Sequence, residues 1–205
     1  MVKNYGVSLL PAYKTLWPTA TEDEKQKAYQ AYEIYKRNVT KPISLEEGLV
    51  SNIIKERWRK TNKNIVRYWY DIENAAIVAT ESKGKTVYHL NIRFIKEGEF
   101  LYCILPNTRR IAFHKPKLEE NKRGNISLSA KAIDYKTKQY VRRQLYGGLI
   151  TENITQAVCR DLLVSSMFRI EKHGYPVRLH VHDEIMSTKP IGEGDLKEFE
   201  ELMSQ

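Results

Sequence analysis

The sequence is poor in the residues that build metal clusters and disulfide frameworks. Its 205 residues include five histidines and two cysteines, Cys103 and Cys159, and none of these follows the spacing of a zinc site. Two cysteines without a second pair do not form a disulfide scaffold. We therefore expect both to be reduced, buried thiols, as in a cytoplasmic protein.

Long apolar runs are also missing. No stretch approaches the roughly 20 apolar residues of a membrane span, and the N-terminus lacks the pattern of a signal peptide. Internal repeats and low-complexity tracts are absent. These features favour a globular protein without a membrane partner, with a length that suits one domain or one lobe of a larger domain.

Positive charge, in contrast, is abundant. Lysine and arginine number 34 against 25 acidic residues, which gives a formal net charge of +9. An excess of this size favours a polyanionic partner, with nucleic acid first and an anionic membrane second. The basic residues are concentrated in two stretches, residues 55–63 and 136–143.

Helix signals dominate the first 82 residues. Thr21 and Glu24 have the spacing of a capping box, and Ser44 stands before a second helical pattern. A third pattern with helical spacing of apolar residues runs from Ile65 to about Thr80. The sequence therefore predicts a helical N-terminal half.

The periodicity changes after residue 85. Residues 85–114 alternate in polarity around a turn at residues 106–109, which predicts a meander of short strands. Residues 115–145 are polar and basic, and they favour either a solvated loop or a contact with a duplex backbone. An acidic helix is expected from Asp195 to Met203.

The stretch of residues 175–186 has the pattern of a hairpin. Val177, Leu179 and Val181 alternate as in a half-buried strand, and a second apolar pair follows residues 182–184, His-Asp-Glu. We therefore expect a tight hairpin with this triplet near its turn.

Two neighbouring carboxylates, Asp183 and Glu184, belong to this turn. A carboxylate at the tip of a rigid hairpin is well placed to hold a hard cation such as Mg²⁺. Adjacent side chains of a strand point to opposite faces, so both acids cannot face one partner equally. The alternative for such a triplet alone is a polar turn whose charges stay in water.

The order of the surrounding motifs favours a functional interpretation. Residues 146–148 read Tyr-Gly-Gly, residues 152–163 read ENITQAVCRDLL, residues 174–177 read GYPV, and residues 180–184 read HVHDE. This order resembles the C-terminal palm of the family A DNA polymerases, specifically their phage branch, in which the HDE turn is motif C. The resemblance is densest over residues 146–187.

Earlier parts of the chain are similar to the same family. Residues 58–76 match a WRxxNxxIVxYWxxxExAA segment that follows motif B, and residues 1–7 are similar to the segment just beyond motif B. A turn that reads LPSGR in the family stands here at residues 105–109 with Asn107 and Thr108 in place of Ser and Gly. We expect the positive-φ position of that turn to be lost or moved.

The resemblance implies an α+β fold. A helical N-terminal half would pack on an antiparallel polymerase palm sheet that carries the motif C hairpin. Residues 1–82 would be a fingers-derived helical segment, and residues 83–205 the palm portion. The implied activity is DNA-directed DNA synthesis in replication, with Mg²⁺ at a two-metal site and with primer–template DNA and deoxynucleoside triphosphates as partners. The implied location is the cytoplasm of a phage-infected bacterial host.

The resemblance also implies roles for individual residues. Asp183 would bind the catalytic metal, Glu184 would be a secondary ligand or a water-mediated partner, and His182 would either contact the primer end or shape the turn. Gln156 would contact the minor groove of the template–primer. The residues implied to contact DNA are Gln156, Asn153, Glu152, Arg160, Tyr146, Gly147 and Gly148.

For the charged residues of this segment, a structural role is the alternative to a contact with DNA. Arg160 and Asp161 could instead form structural ion pairs, which is the commoner fate of charges on such a helix. Residues 146–148 are expected to let the backbone approach the duplex closely.

Motifs A and B are not found in the sequence. The nearest string to motif A is residues 70–73, Tyr-Asp-Ile-Glu, but its apolar neighbours follow helical spacing. We therefore expect a motif A aspartate from a second polypeptide, which would carry motifs A and B, to complete the metal site. A split gene, an interrupted gene and a fragment all remain open.

Two other functions also remain open. The chain could be a catalytically inactive DNA-binding remnant of such a polymerase. A weaker alternative is an unrelated metal-dependent hydrolase that uses Asp183 and Glu184.

Overall fold

The computed structural model describes residues 8–82, 84–120, 124–134 and 136–204. Within these ranges the chain has an α+β fold with six helices and eight strands. The helices are α1 Leu10–Leu16, α2 Glu22–Arg37, α3 Leu45–Thr61, α4 Lys63–Glu81, α5 Gly147–Lys172 and α6 Leu196–Ser204. The strands are β1 Val87–His89, β2 Ile92–Glu97, β3 Phe100–Ile104, β4 Arg110–Glu120, β5 Ile126–Ile133, β6 Tyr140–Leu145, β7 Val177–Val181 and β8 Glu184–Ser187.

The chain divides into two compact units, Met1–Arg67 and Tyr68–Gln205. The expected division of polymerase subdomains at residue 82 stays a prediction. Residues 1–7, which are similar to a segment beyond motif B, lie outside the described residues. No helix of the described ranges is long and apolar enough to cross a membrane.

The first unit is helical, as predicted, and α2 and α3 begin at the predicted caps, whereas α1 begins without a side-chain cap. The Thr21 side chain accepts from the backbone N–H of Glu24, whose carboxylate accepts from the N–H of Thr21. Ser44 accepts in the same way from Glu47 at the start of α3. Tyr32 lies in the small core of this unit, and a Cβ on Gly48 would come within 2.1 Å of its ring.

The second unit is built on a six-stranded antiparallel sheet. Each strand pairs with the next in the chain, in the order β1-β2-β3-β4-β5-β6. Helices α4 and α5 contribute buried residues to the core on one face of this sheet. Phe94, Leu101 and Leu128 of the sheet and Ile72 and Ile150 of the helices have no exposed surface, and burial of each such side chain contributes about 1.5–3 kcal/mol.

The described residues between 115 and 145 form mainly strands, where a solvated loop was one expectation. Strand β4 continues to Glu120, and β5 and β6 follow it. Buried positions of β5 and β6 are occupied by Leu128, Ala130 and Leu145, while most of their other side chains reach solvent. A sheet with one solvated face alternates apolar and polar residues, and residues 126–132, ISLSAKA, carry this strand pattern within an otherwise polar and basic stretch.

The two cysteines differ in their surroundings. Cys103 is buried in the sheet, and burial raises the pKa of its thiol to about 12. Cys159 is free as well, but it is exposed on α5. The expectation of two buried thiols was therefore wrong for Cys159, because it lies on the solvent side of that helix.

The turn between β3 and β4 keeps a left-handed residue. Thr108 has φ 69°, at the position where the family has glycine. Its N–H donates to the carbonyl of Leu105, whose own N–H donates to the carbonyl of Arg109. The expectation that this position is lost or moved was wrong, because the turn's backbone hydrogen bonds hold Thr108 in this conformation.

Thr108→Gly should stabilise the protein. A β-branched residue in the left-handed region costs on the order of 1–2 kcal/mol, a cost that glycine avoids. Allowing for glycine's larger unfolded-state entropy, we expect the free energy of unfolding in urea to rise by about 1 kcal/mol. Thr108→Ala keeps the Cβ and should bring no such gain, and a loss of stability in the glycine variant would contradict this account of the turn.

Candidate functional site

The predicted hairpin is present. Strands β7 and β8 pair antiparallel, with Val181 opposite Glu184, so that His182 and Asp183 form a two-residue loop. His182 has φ 53°, which is the left-handed conformation that tight hairpin loops require at their first position. The triplet therefore lies at the tip, with Glu184 as the first residue of the returning strand.

The apolar residues of β7 do not share one buried face. The pairing shifts between Val177 and Leu179, which marks a bulge, and a bulge reverses the faces of the side chains on either side of it. Val177 packs against the core of Ile170 and Leu202, whereas Leu179 and Val181 are 52% and 48% exposed. The expectation of one half-buried alternating face was wrong for this reason.

Tyr175 fixes the base of the hairpin to α6. Its hydroxyl donates to the Glu198 carboxylate at 2.5 Å and accepts from the backbone N–H of Asp195 at 3.1 Å. The hydrogen bond to Glu198 raises the pKa of Tyr175. Arg169 of α5 adds a second link, because its Nε donates to the carbonyl of Leu202 at 2.7 Å. The hairpin is thus held by α5 and α6 at its base, while its tip projects.

The tip presents oxygen atoms to solvent. His182, Asp183 and Glu184 are exposed and have no hydrogen-bonding or ion-pair partner within the described ranges. The pairing places Glu184 on the same face as Leu179 and Met186. No three His, Cys, Asp or Glu side chains of the described residues come together in a way that could hold a metal ion.

The N-terminus of α5 is pressed against α4. A Cβ on Gly147 would lie 1.9 Å from the backbone carbonyl oxygen of Trp69, so only glycine fits. The Gly147 N–H donates to the Glu73 carboxylate at 2.9 Å. Gly147 is buried by this packing, and its missing side chain therefore serves the contact between two helices. Sequence reasoning missed this role of Glu73, although an acid within a largely apolar segment of a helix was a signal.

One side of α5 carries the polar residues implied to contact DNA. Glu152, Gln156 and Arg160 follow one another at four-residue spacing, and all three are exposed. Gln156 Nε2 donates to Glu152 Oε1 at 3.3 Å. Asn153 is half-buried beside them, and Tyr146 is exposed at the residue before the helix. The structure thus groups three of the predicted residues and places residues 146–148 at the end of the same helix.

Asp161 has a structural role. Its carboxylate accepts from Arg109 Nε at 2.7 Å and from Asn107 Nδ2 at 2.8 Å. Arg109 also donates to the carbonyl of Ala157 at 2.7 Å. Asp161 therefore forms a structural ion pair, whereas the Arg160 side chain has no partner within the described ranges. Asn107 and Arg109 were not predicted to have this role; their place in a turn of altered sequence was the available signal.

Strand β7 runs back along α5. The Val177 N–H donates to the Glu171 carboxylate at 3.2 Å, and a groove of about 310 Å³ contains His180 together with Val164. From Val177 to His180 the strand rises about 10 Å, and the seven residues of α5 from Glu171 back to Val164 span about the same length. The two contacts therefore agree with a strand that runs antiparallel to the helix. Six strand residues from Val177 to Asp183 span about 20 Å, or about 13 helical residues, which, counted back from Glu171, corresponds to the level of Val158 on α5, two residues before Arg160.

Comparison with known proteins connects the chain to a phage polymerase. It is 36% identical over 167 residues to the DNA polymerase of Bacillus phage SP02. The match covers 80% of this chain but 25% of the relative, so the chain spans about a quarter of that protein's length. No protein-family model and no solved structure matches the chain. Over four fifths of its length, the chain is similar to a segment of a phage DNA polymerase.

Proposed function

We propose that the chain is the C-terminal part of a family A DNA-directed DNA polymerase and takes part in template-directed DNA synthesis. The observation that carries this proposal is the exposed pair Asp183 and Glu184 at a hairpin tip, in a chain 36% identical to a phage DNA polymerase over 167 residues. Its substrates are primer–template DNA and deoxynucleoside triphosphates, and it acts in the cytoplasm of an infected bacterium.

The donor atoms at the tip fit Mg²⁺. Asp183 and Glu184 offer carboxylate oxygens, the ligands that this hard cation prefers, and neither acid is engaged by another described side chain. In a two-metal site the bound ions stabilise the attacking and the leaving oxygens of nucleotidyl transfer. Because the described residues contain no group of three potential ligands, an aspartate of motif A from a second polypeptide completes the site.

The helix α5 positions the DNA. Gln156 and Asn153 contact the minor groove, and Arg160 and Tyr146 contact the backbone of the primer–template. The contact of Asp161 with Arg109 ties this part of the helix to the sheet, and Gly147 ties its N-terminus to α4. Gly148 and Glu152 lie on the same segment of the helix. At the tip of the hairpin, His182 contacts the primer end.

An uncovered apolar face of the hairpin supports the proposal that a second polypeptide binds to it. Leu179, Val181 and Met186 are all about half exposed on that face. The opposite face, with Val177 and Ile185, already packs against α5 and α6, and covering the open apolar face as well would be favourable because it removes apolar surface from water. The part of the polymerase that carries motifs A and B covers this face and brings its aspartate to Asp183 and Glu184.

Primer extension tests the proposed function. We expect no extension by the purified chain with Mg²⁺, because its ligand set is incomplete. We expect extension when the chain replaces the matching quarter of the SP02 polymerase in a chimera, or is mixed with the remaining three quarters. Extension by the isolated chain would contradict the need for a second polypeptide. A folded chimera that binds primer–template DNA but does not extend it would favour the inactive DNA-binding remnant.

A further inference from the structure

The sheet of the second unit has a second face that the polymerase proposal does not use. Phe100 and Tyr102 of β3 flank Leu101, which is fully buried in the core with α4 and α5. Successive side chains of a strand point to opposite faces, so Phe100 and Tyr102 lie on the other side of the sheet. On β4, His114 is paired directly opposite Phe100 and shares that side.

Four rings form a continuous row on this face. Phe100 stacks on Tyr102 with 5.7 Å between ring centroids and on His114 with 4.8 Å. His114 stacks in turn on Tyr140 of β6 with 5.7 Å between centroids. A nitrogen of His114 is also hydrogen-bonded to the Tyr140 hydroxyl. Tyr140, at the end of the row and on the last strand of the sheet, is 49% exposed. We call these four residues the ring row.

A cation lies at each end of the ring row. The Arg110 guanidinium is 5.2 Å from the Tyr102 centroid, and the Lys131 ammonium is 5.6 Å from the Tyr140 centroid. Arg142 is paired with Lys131 on the neighbouring strand and is exposed. Positive charge therefore surrounds the rings on the same face.

The carboxylates near this face are engaged by cations, one of which is the Arg110 guanidinium at the end of the ring row. Glu97 accepts from Arg110 at 3.0 Å, and Glu99 lies 3.3 Å from the Lys115 ammonium. Lys131 has no carboxylate partner among the residues that the structure describes, and Arg142, which donates to the carbonyl of Lys115 at 3.0 Å, forms no ion pair with a described carboxylate. Around the ring row, unpaired charge is thus positive.

We infer that the ring row binds single-stranded DNA, with a base stacked on Tyr140, the exposed ring at the end of the row, and with phosphates contacted by Lys131 and Arg142. Exposed rings beside cations are the two elements by which proteins hold unpaired strands: each base has a face that can stack, and the backbone follows the positive charge. This surface is separate from the α5 and hairpin site, and its test requires no DNA synthesis.

Single-stranded DNA fits this face better than the other possible partners. Bases of a duplex are already stacked on one another, so a duplex would use the cations and leave the rings without a role. A protein partner with an apolar surface would have to bury Lys131 and Arg142, which is costly for unpaired charges. Only an unpaired strand matches both the rings and the charges.

Binding to two oligonucleotides tests the inference. The first is fluorescently labelled oligo-dT of about 15 nucleotides, within the range of known single-strand sites, and the second is an abasic oligomer with the same number of phosphates. In anisotropy titrations of the full chain, we expect oligo-dT to bind about ten-fold or more tightly than the abasic oligomer, since stacking of one base alone contributes about that factor. A duplex of the same length should show no such advantage from its bases.

Two substitutions separate stacking from charge. Tyr140→Leu removes the ring and keeps an apolar side chain, so oligo-dT should bind about ten-fold more weakly while the abasic oligomer binds as before. Lys131→Gln removes a phosphate contact, so both oligomers should weaken alike, and the salt slope should fall by about 0.7. Matched controls are Tyr70→Leu, a ring of α4 that is 66% exposed, and Lys197→Gln on α6; neither should change binding.

Equal affinities for oligo-dT and the abasic oligomer would overturn the inference, as would an unchanged preference in Tyr140→Leu. Cross-linking of the unmodified protein to oligonucleotides with 5-iodouracil decides the question if a variant does not fold. Cross-links to Tyr140, Tyr102 or Phe100 support the ring row as the binding surface. Cross-links confined to α5 and the hairpin place the single strand elsewhere and overturn the inference.

Discussion

Asp183→Asn should abolish primer extension by the complemented chain, with a single-turnover rate lower by on the order of 10³-fold or more. The amide keeps the volume of the side chain and one acceptor oxygen, but it lacks the charge that holds the metal ions. Asp183 is exposed in a two-residue loop and has no partner within the described ranges, so the substitution should leave the fold intact. The affinity for primer–template DNA should change by less than about two-fold.

Two control variants make this result specific to the position. Glu184→Gln should lower the rate less, because Glu184 is proposed as a secondary or water-mediated ligand, whereas Asp183 is proposed to hold the catalytic metal ions. Glu193→Gln removes an exposed carboxylate from the loop before α6 and should leave the rate unchanged. If Asp183→Asn extends primers near the unmodified rate, Asp183 is not a metal ligand and the hairpin is not motif C.

Gly147→Ala should lower the free energy of unfolding of the second unit by about 3 kcal/mol or more. The added Cβ would lie 1.9 Å from the carbonyl oxygen of Trp69. That atom belongs to the backbone of α4, so it cannot swing away as the end of a side chain could. Relief requires α5 to move from α4, which would also lengthen the 2.9 Å hydrogen bond from the Gly147 N–H to Glu73.

The neighbouring glycine provides a matched control. A Cβ on Gly148 would lie 3.2 Å from the edge of the Tyr146 ring, which is a mobile side chain. Alanine is favoured over glycine in a helix by about 1 kcal/mol, so Gly148→Ala should be neutral or stabilising. Urea denaturation followed by circular dichroism compares the two variants. Equal stabilities would show that the close approach at Gly147 carries no energetic cost and that our account of this contact is wrong.

Local signals in the sequence determined the helices of the first unit and the existence of the hairpin. The Thr21 and Glu24 capping box and the Ser44 cap act within one helical turn, so neighbouring residues alone are enough to specify where α2 and α3 begin. The two-residue loop at His182 is also local. The carboxylates of the candidate site therefore follow from the sequence, and only their functional roles await the experiments above.

Strand pairing was decided by the tertiary structure. Residues 126–132 alternate between apolar and polar side chains, but the pairing of this strand depends on β4 for hydrogen bonds and on α5 for a core. The bulge between Val177 and Leu179 likewise arises from the partner strand, which a sequence of alternating residues does not reveal. The face that a strand residue occupies changes with a shift of one residue, so register cannot be read from local periodicity when both faces are partly exposed.

Contacts between distant segments were decided in the same way. The sequence shows glycine at residue 147 and an acid at residue 161, but not that Gly147 meets the backbone of Trp69 or that Asp161 binds Arg109. These pairs are separated by about fifty residues or more, and their energy comes from packing and hydrogen bonding after the chain has closed on itself. The sequence by itself determined which chemical groups this protein contains. The tertiary structure decided which of them form contacts that stabilise the fold, as Gly147 and Asp161 do, and which remain exposed at the surface, as Asp183 does.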